Sequence, residues 1–217
     1  MTHPLFETTH SGESWLERLG PGTVRLHGFA LTEAPALMDE LARIAESAPF
    51  RHMITPSGHC MSVAMTNGGA WGWVSDRTGY RYVAQDPETG RPWPPMPDCF
   101  LRLAQDAAAQ AGFADFLPDA CLINRYLPAA RMSLHQDRDE RALRAPIVSV
   151  SLGLPAVFLW GGLKRKDPTR RIPLVHGDVL VWGGPDRLRY HGVLPLKTGQ
   201  HPLLGEQRIN LTFRQAG

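Results

Sequence analysis

PIVSVSLGLPAVFLW, residues 146–160, reads as two short strands, 146–154 and 156–160, parted by Pro155. β-Branched and apolar residues dominate both runs, and a proline cannot donate to a ladder, so it belongs between strands. The pattern repeats in both directions. Upstream lie CLINRYL (121–127) and MSLHQ (132–136); downstream lie RIPLV (171–175), DVLVW (178–182), LRYHGVLPL (188–196) and QRINLTFR (207–214). About eight short strands separated by Gly and Pro predict a sandwich or barrel rather than βαβ units. A jelly roll is the natural eight-strand solution.

The first half carries helical signals instead. In LTEAPALMDELARIAES (31–47) and the alanine that follows, Leu37, Leu41, Ile44, Ala45 and Ala48 fall on one stripe, with Thr32 as the expected N-cap and Pro35 in the first turn. A second helix is expected over Asp98–Gln110, with Phe100, Leu103, Ala104 and Ala107 inward and Gly112 as its stop. Between them, 51–97 is rich in Gly, Pro and aromatic residues and is expected to form short strands and a cover. The predicted architecture is α+β, mainly β: one domain over 1–217, a helical N-terminal layer, a lid with helical support near 51–97, and a sandwich core over 120–217.

Composition excludes several classes. Hydrophobic residues make up 43% and charged residues 20% of 217, ordinary for a globular chain. No stretch approaches the roughly 18 apolar residues of a membrane span, and MTHPLFETTHSGESW does not look like a leader. Cys60, Cys99 and Cys121 are odd in number and far apart, which argues against a disulfide scaffold and for a reducing cytoplasm. A net charge of +2 is low for a dedicated duplex binder. Arginines nevertheless cluster at 125, 131, 138, 141 and 144, and again in KRKDPTRR (164–171). No obligate protein partner is indicated.

SLHQDRDE, residues 133–140, could be a solvated charged run or a metal site. Side chains at i and i+2 of a strand share a face, so His135 and Asp137 could reach one ion. His176-Gly177-Asp178 repeats the pattern, but there the glycine reads as a tight turn, with Asp178 bonding local backbone. A 2-His-1-carboxylate iron site needs a third ligand from a facing strand. His191 is the candidate, weighed against a satisfied core histidine; His201, followed by a proline, is weaker. RINLTFR (208–214) places Ile209, Leu211 and Phe213 on one face and Arg208, Asn210, Thr212 and Arg214 on the other. A half-buried strand accounts for the alternation. If the arginine face is interior, a buried guanidinium demands an anion, and a dicarboxylate suits it.

LINRY, LHQDRDE, APIVSVSLGLPA, GGLKR, HGDVLVWGG, YHG and NLTFRQAG, with FRHM, MSVAMTN and GW in the first half, closely resemble the bacterial AlkB family of iron- and 2-oxoglutarate-dependent nucleic acid repair dioxygenases. The resemblance runs from about residue 20 to the C-terminus. It implies a double-stranded β-helix (a jelly roll) with a nucleotide-recognition lid, using Fe(II), 2-oxoglutarate and O2. It assigns His135, Asp137 and His191 to iron and makes His176 and Asp178 structural. Arg208 is implied to pair with the distal carboxylate of 2-oxoglutarate, with Asn124, Arg125, Tyr126, Asn210, Thr212 and Arg214 around it. Trp73 is implied to stack on the base opposite His135, with Tyr80, Arg81 and Tyr82 along the strand and Asp139 and Arg165 near the lesion. On this resemblance the charged remainder of HQDRDE faces substrate. The implied reaction demethylates 1-methyladenine and 3-methylcytosine in single-stranded DNA or RNA, giving succinate, CO2 and formaldehyde. The role of Trp71 is open.

Two rival readings remain. A 2-oxoglutarate-dependent hydroxylase of a protein or small molecule would use the same triad and arginines. A jelly-roll binding module that reads damage would have no use for open iron positions.

Overall fold

The computed structural model describes residues 15–217; the N-terminal stretch that bears on a leader lies outside them. Among the described residues, a large antiparallel sheet is built from β1 (Trp15–Gly20), β2 (Thr23–His27), β3 (Arg51–Ile54), β4 (Cys60–Gly69), β7 (Ala120–Tyr126), β9 (Ile147–Gly153), β12 (Val179–Trp182) and β14 (Arg208–Arg214). Their order is β1-β2-β12-β9-β14-β7-β4-β3. A smaller sheet faces it, built from β8 (Met132–His135), β10 (Ala156–Trp160), β11 (Arg170–Leu174) and β13 (His191–Val193), in the order β11-β10-β13-β8. A separate hairpin pairs β5 (Gly72–Asp76) with β6 (Gly79–Val83). All eight strand candidates of the C-terminal half are present, stacked as a jelly-roll sandwich.

Side-chain alternation sorts the core into two layers. Val148, Val150 and Leu152 of β9 and Ile209, Leu211 and Phe213 of β14 point outward from the sandwich, under the helices α1 (Ala34–Ser47) and α2 (Asp98–Gln110). Leu37, Leu41 and Ile44 of α1 and Phe100, Leu103, Ala104 and Ala107 of α2 complete that layer. Phe100 meets Phe213 edge-on at 5.9 Å. Deleting a buried ring there costs about 3–5 kcal/mol through lost transfer energy and the cavity left behind. The second layer lies between the sheets, where Tyr126, Ile147, Phe158, Trp160, Leu180 and Trp182 pack together.

α2 has the expected bounds, and its end follows from Gly112. That residue sits at φ +94°, a left-handed position that suits glycine. Phe113 N–H then reaches the Ala108 carbonyl at 2.8 Å and Gly112 N–H the Ala109 carbonyl at 3.0 Å, satisfying carbonyls the last turn leaves open. α1 differs at its start. Glu33, not Thr32, is the N-cap residue, and no side chain caps the helix. The entering chain turns at Gly28–Leu31, so the Leu31 carbonyl takes the Ala34 N–H and no hydroxyl is needed.

The sheet is also larger than the 120–217 core expected for it. β1 and β2 add to its β12 edge, and β3 and β4 to its β7 edge. Only β5–β6 and the chain following it stand apart as a cover. β14 is buried on both faces, so its arginine face is interior and the half-buried alternative falls; the helices cover one side and the small sheet the other. Among the described residues no helix is long and apolar enough to cross a membrane.

Candidate metal centre and cosubstrate cleft

His135 ends β8 and is the register partner of His191 on β13. Asp137 lies just past the strand end. Its placement therefore comes from arginine contacts rather than from the strand pleat. Ligand atoms of His135, Asp137 and His191 all lie within 4.8 Å of one another. His135 Nε2 is 3.6 Å from Asp137 Oδ1 and His191 Nε2 is 3.7 Å from Asp137 Oδ2. Each imidazole has its Nδ1 against a backbone carbonyl: Ser133 at 2.8 Å and Arg189 at 3.0 Å. A carbonyl only accepts, so the proton sits on Nδ1 and the Nε2 lone pairs point toward the shared space. Burial, then His135, push His191 down to about 4, against the pull of Asp137, so it is neutral near pH 7. Burial opposes ionisation of Asp137 as well, but Arg214 and the two imidazoles hold it well below the usual carboxylate range. Two imidazoles and one carboxylate suit a divalent transition metal such as Fe(II).

Arg214 Nη2 donates to Asp137 Oδ2 at 2.7 Å. The same face of β14 carries Arg208, Asn210 and Thr212. Asn210 gives its amide N–H groups to Ser149 Oγ at 2.8 Å and the Val150 carbonyl at 3.0 Å, so its Oδ1 faces the Thr212 hydroxyl and the Asn124 amide. Tyr126, Asn124, Thr212 and Arg214 line one cleft together with His135, Asp137 and His191. Arg208 lies over the Tyr126 ring at 5.0 Å and donates from Nη2 to Ser151 Oγ at 3.0 Å. It is 1% exposed, and its Nε and Nη1 have no partner. A buried guanidinium with two open donors fits the distal carboxylate of a dicarboxylate. Arg125 is a correction. Pleating turns it to the opposite face of β7 from Asn124 and Tyr126, where it lies 4.6 Å from the Phe50 ring.

The profile of the 2OG-Fe(II) oxygenase superfamily matches residues 22–214. The alpha-ketoglutarate-dependent dioxygenase AlkB of Salmonella typhimurium is 59% identical over 93% of this chain and 94% of its own. This chain belongs to the AlkB family. The solved structure of OsALKBH1 superposes with a TM-score of 0.81 at 29% identity, covering 92% of this chain and 99% of that one. The nucleic acid dioxygenase ALKBH1 of Homo sapiens is 32% identical over 56% of this chain and 31% of its own. The protein is thus a Fe(II)- and 2-oxoglutarate-dependent dioxygenase, with a donor set and a buried guanidinium that fit both groups.

The AlkB-family lid expectations fare unevenly. Trp73, on β5, donates from its indole N–H to Asp139 Oδ2 at 3.1 Å and stacks on Tyr80 at 5.6 Å. These three lie together beside the metal loop. Arg81 is a correction: it points to the other face of the hairpin and pairs with Asp76 at 2.7 Å, as expected one residue along a strand. The Tyr82 hydroxyl is likewise not free for substrate. It donates to Glu140 Oε1 at 2.9 Å, and burial pushes it well above the ordinary tyrosine value. Arg165 is exposed and lies 5.9 Å from the Tyr190 ring, next to His191 in sequence. Trp71 packs against the C-terminal Gly217 rather than joining Trp73.

Glu140 is the residue whose expected place changes most. Only the Arg138 and Asp139 portion of the charged run is exposed; Glu140 is buried. It pairs with Arg187 at 3.0 Å and Arg214 at 3.1 Å, while Arg187 donates from Nη1 to the Asp137 carbonyl at 2.6 Å. Arg187 and Glu140 thus brace the metal carboxylate, and nothing in local periodicity marks them. Asp178 is structural as expected. It accepts from Val175 N–H at 2.8 Å, Gly28 N–H at 3.1 Å and Arg25 at 2.7 Å, with Gly177 at φ +85°. His201 lies 4.4 Å from the His176 ring, apart from the triad.

Proposed function

We propose that this chain, acting as one dioxygenase domain, removes N-alkyl groups from bases of single-stranded DNA or RNA, with 1-methyladenine and 3-methylcytosine as substrates. The observation that carries the reading is the convergence of His135, Asp137 and His191 beside the Trp73–Asp139 pair. Its human relative's name as a nucleic acid dioxygenase supports the substrate class. His135, Asp137 and His191 would hold iron through Nε2, carboxylate and Nε2 atoms. Bound Fe(II), with 2-oxoglutarate and O2, supplies an oxidant that hydroxylates an N-methyl carbon while 2-oxoglutarate becomes succinate and CO2.

The rest is work of the protein. Arg214 keeps the Asp137 carboxylate ionised and oriented. Arg208 takes the distal carboxylate on its open Nε and Nη1, and Tyr126, Asn124, Asn210 and Thr212 shape the slot beside it. Trp73 offers a π-face to the flipped base, a contact of about 1–3 kcal/mol, and a cationic lesion gains further over that ring. Asp139, exposed next to the indole, places an anion where the alkylated base is positive. The lesion already weakens pairing, which lowers the cost of extrusion. Arg131 and Arg138, both exposed, are suited to phosphates, and Arg165, over the Tyr190 ring next to His191, to the lesion. The hydroxylated methyl group is a hemiaminal that collapses to formaldehyde and the unmodified base. Three free cysteines among the described residues agree with a cytoplasmic location.

The test uses a single-stranded oligonucleotide with one 1-methyladenine, incubated with protein, Fe(II), 2-oxoglutarate and ascorbate. Loss of the methyl group by mass spectrometry, with formaldehyde released in step, is the expected result. Consumption of 2-oxoglutarate with the lesion untouched would overturn the substrate assignment and favour a hydroxylase of another substrate.

A further inference from the structure

Within the hairpin, the backbone of Trp73 is tied to the large sheet by one buried side chain. Asn67, on β4, is 1% exposed. Its Nδ2 donates to the Trp73 carbonyl at 3.0 Å, and its Oδ1 accepts the Trp73 N–H at 3.0 Å. A side-chain amide thereby exchanges both bonds with one residue, as a hydrogen-bonded pair of antiparallel strand residues would. The bond directions are set without ambiguity, because the backbone N–H can only donate and the carbonyl can only accept.

Other contacts hold the hairpin but not this residue's backbone. Ser75 Oγ donates to the Ile54 carbonyl at 2.6 Å, and Trp93 Nε1 to the Val83 carbonyl at 3.0 Å. At Gly72 the chain runs so close to the Trp93 ring that an added Cβ would lie 2.3 Å from it. These fix the hairpin's depth. Asn67 fixes the place at which the Trp73 side chain leaves it. Its own position is firm, because β4 pairs with β7 with Asn67 opposite Leu122.

We infer that Asn67 is a positioning residue for base recognition, setting the height and tilt of the Trp73 ring over the metal centre through its two bonds to the Trp73 backbone. The inference rests on Trp73 being the base-stacking residue. Removing the amide leaves the Trp73 N–H and carbonyl without these partners, so the ring loses its fixed origin although the indole remains.

The experiment is a double-mutant cycle with Asn67→Ala and Trp73→Ala, singly and together, in the Fe(II)- and 2-oxoglutarate-loaded protein without O2. The binding of a single-stranded oligonucleotide carrying one 1-methyladenine is measured by fluorescence anisotropy. Trp73→Ala weakens binding by roughly 5- to 150-fold if the ring stacks on the base. Asn67→Ala weakens it about fivefold to tenfold alone, and adds nothing in the Trp73→Ala background, because it acts through that ring. With O2 restored, Asn67→Ala raises KM for the oligonucleotide more than it lowers kcat. Should Asn67→Ala fail to fold, Asn67→Ser, which keeps a short hydroxyl acceptor, takes its place with the same expectation. If Trp73→Ala binds normally, the stacking assignment itself falls. If Trp73→Ala weakens binding but the Asn67 variant does not, or its loss is the same with and without Trp73, the positioning role is wrong.

Discussion

His135 and His191 are cross-strand partners with rings 4.4 Å apart, and each is oriented by the backbone carbonyl two residues before it, Ser133 within β8 and Arg189 just ahead of β13. One local device is thus used on both β8 and β13. It presents two Nε2 atoms to one point before any ion arrives, so little ordering remains for metal binding to impose. Asp137 is held differently, by Arg214 and the Arg187–Glu140 pair, and the predictions separate these two kinds of support.

Asp137→Ala removes a ligand and also takes from Arg214 one of its two buried anions, the carboxylate to which Nε and Nη2 both donate, and leaves it only Glu140. Fe(II) binding and all turnover should vanish, including succinate formed without substrate. Breaking a buried ion pair from one side also lowers stability by about 3–5 kcal/mol. Iron titration, succinate assay and urea unfolding check the three effects; a variant that still made succinate would remove Asp137 from the metal site.

Glu140→Gln leaves Arg187 and Arg214 without the anion both share. Stability should fall by roughly 3 kcal/mol, and Fe(II) affinity by about 10- to 100-fold, because these arginines orient Asp137. Denaturant unfolding and iron titration are the readouts. An unchanged iron affinity would confine Glu140 to packing.

Arg208→Lys keeps a positive charge but loses the fork that leaves Nε and Nη1 open. KM for 2-oxoglutarate should rise at least about tenfold, as for loss of a charge-assisted hydrogen bond of about 1.5–3 kcal/mol. Iron bound without 2-oxoglutarate should be unaffected, since the triad is intact. Steady-state kinetics against 2-oxoglutarate decides it.

Acid should destabilise the metal-free protein. His191 is held near 4 in the fold against an ordinary 6.5, first by burial and then by His135. Between those values the unfolded chain binds the extra proton, so this contribution is fully present above pH 6.5 and is lost as pH falls toward 4. One buried histidine with this shift accounts for roughly 3 kcal/mol. His176 and His201 are also lowered by burial, so they add with the same sign. Urea unfolding across pH 4–7 should show stability rising with pH; a flat profile in the metal-free protein would contradict a neutral buried His191.

Much of this protein was legible in its sequence because the signals are local. Alternation along 208–214, and short runs broken by Gly and Pro from 120 onward, followed from the pleat and from the backbone limits of those two residues. α2 was set by its apolar stripe and by Gly112. The iron candidates could be chosen because few side chains bind metal, and the family motifs then selected among them. What only the tertiary structure decided are matters of which neighbour a side chain meets. Arg125 turned to Phe50, Arg81 to Asp76, and Tyr82 to Glu140. β1 and β2 lie far from β12 along the chain, so no local period could show that they extend its sheet. Glu140 and Asn67 look like ordinary polar residues in a charged run and beside two glycines. Burial, with partners supplied from distant strands, makes one a brace for the metal carboxylate and ties the other to the backbone of Trp73.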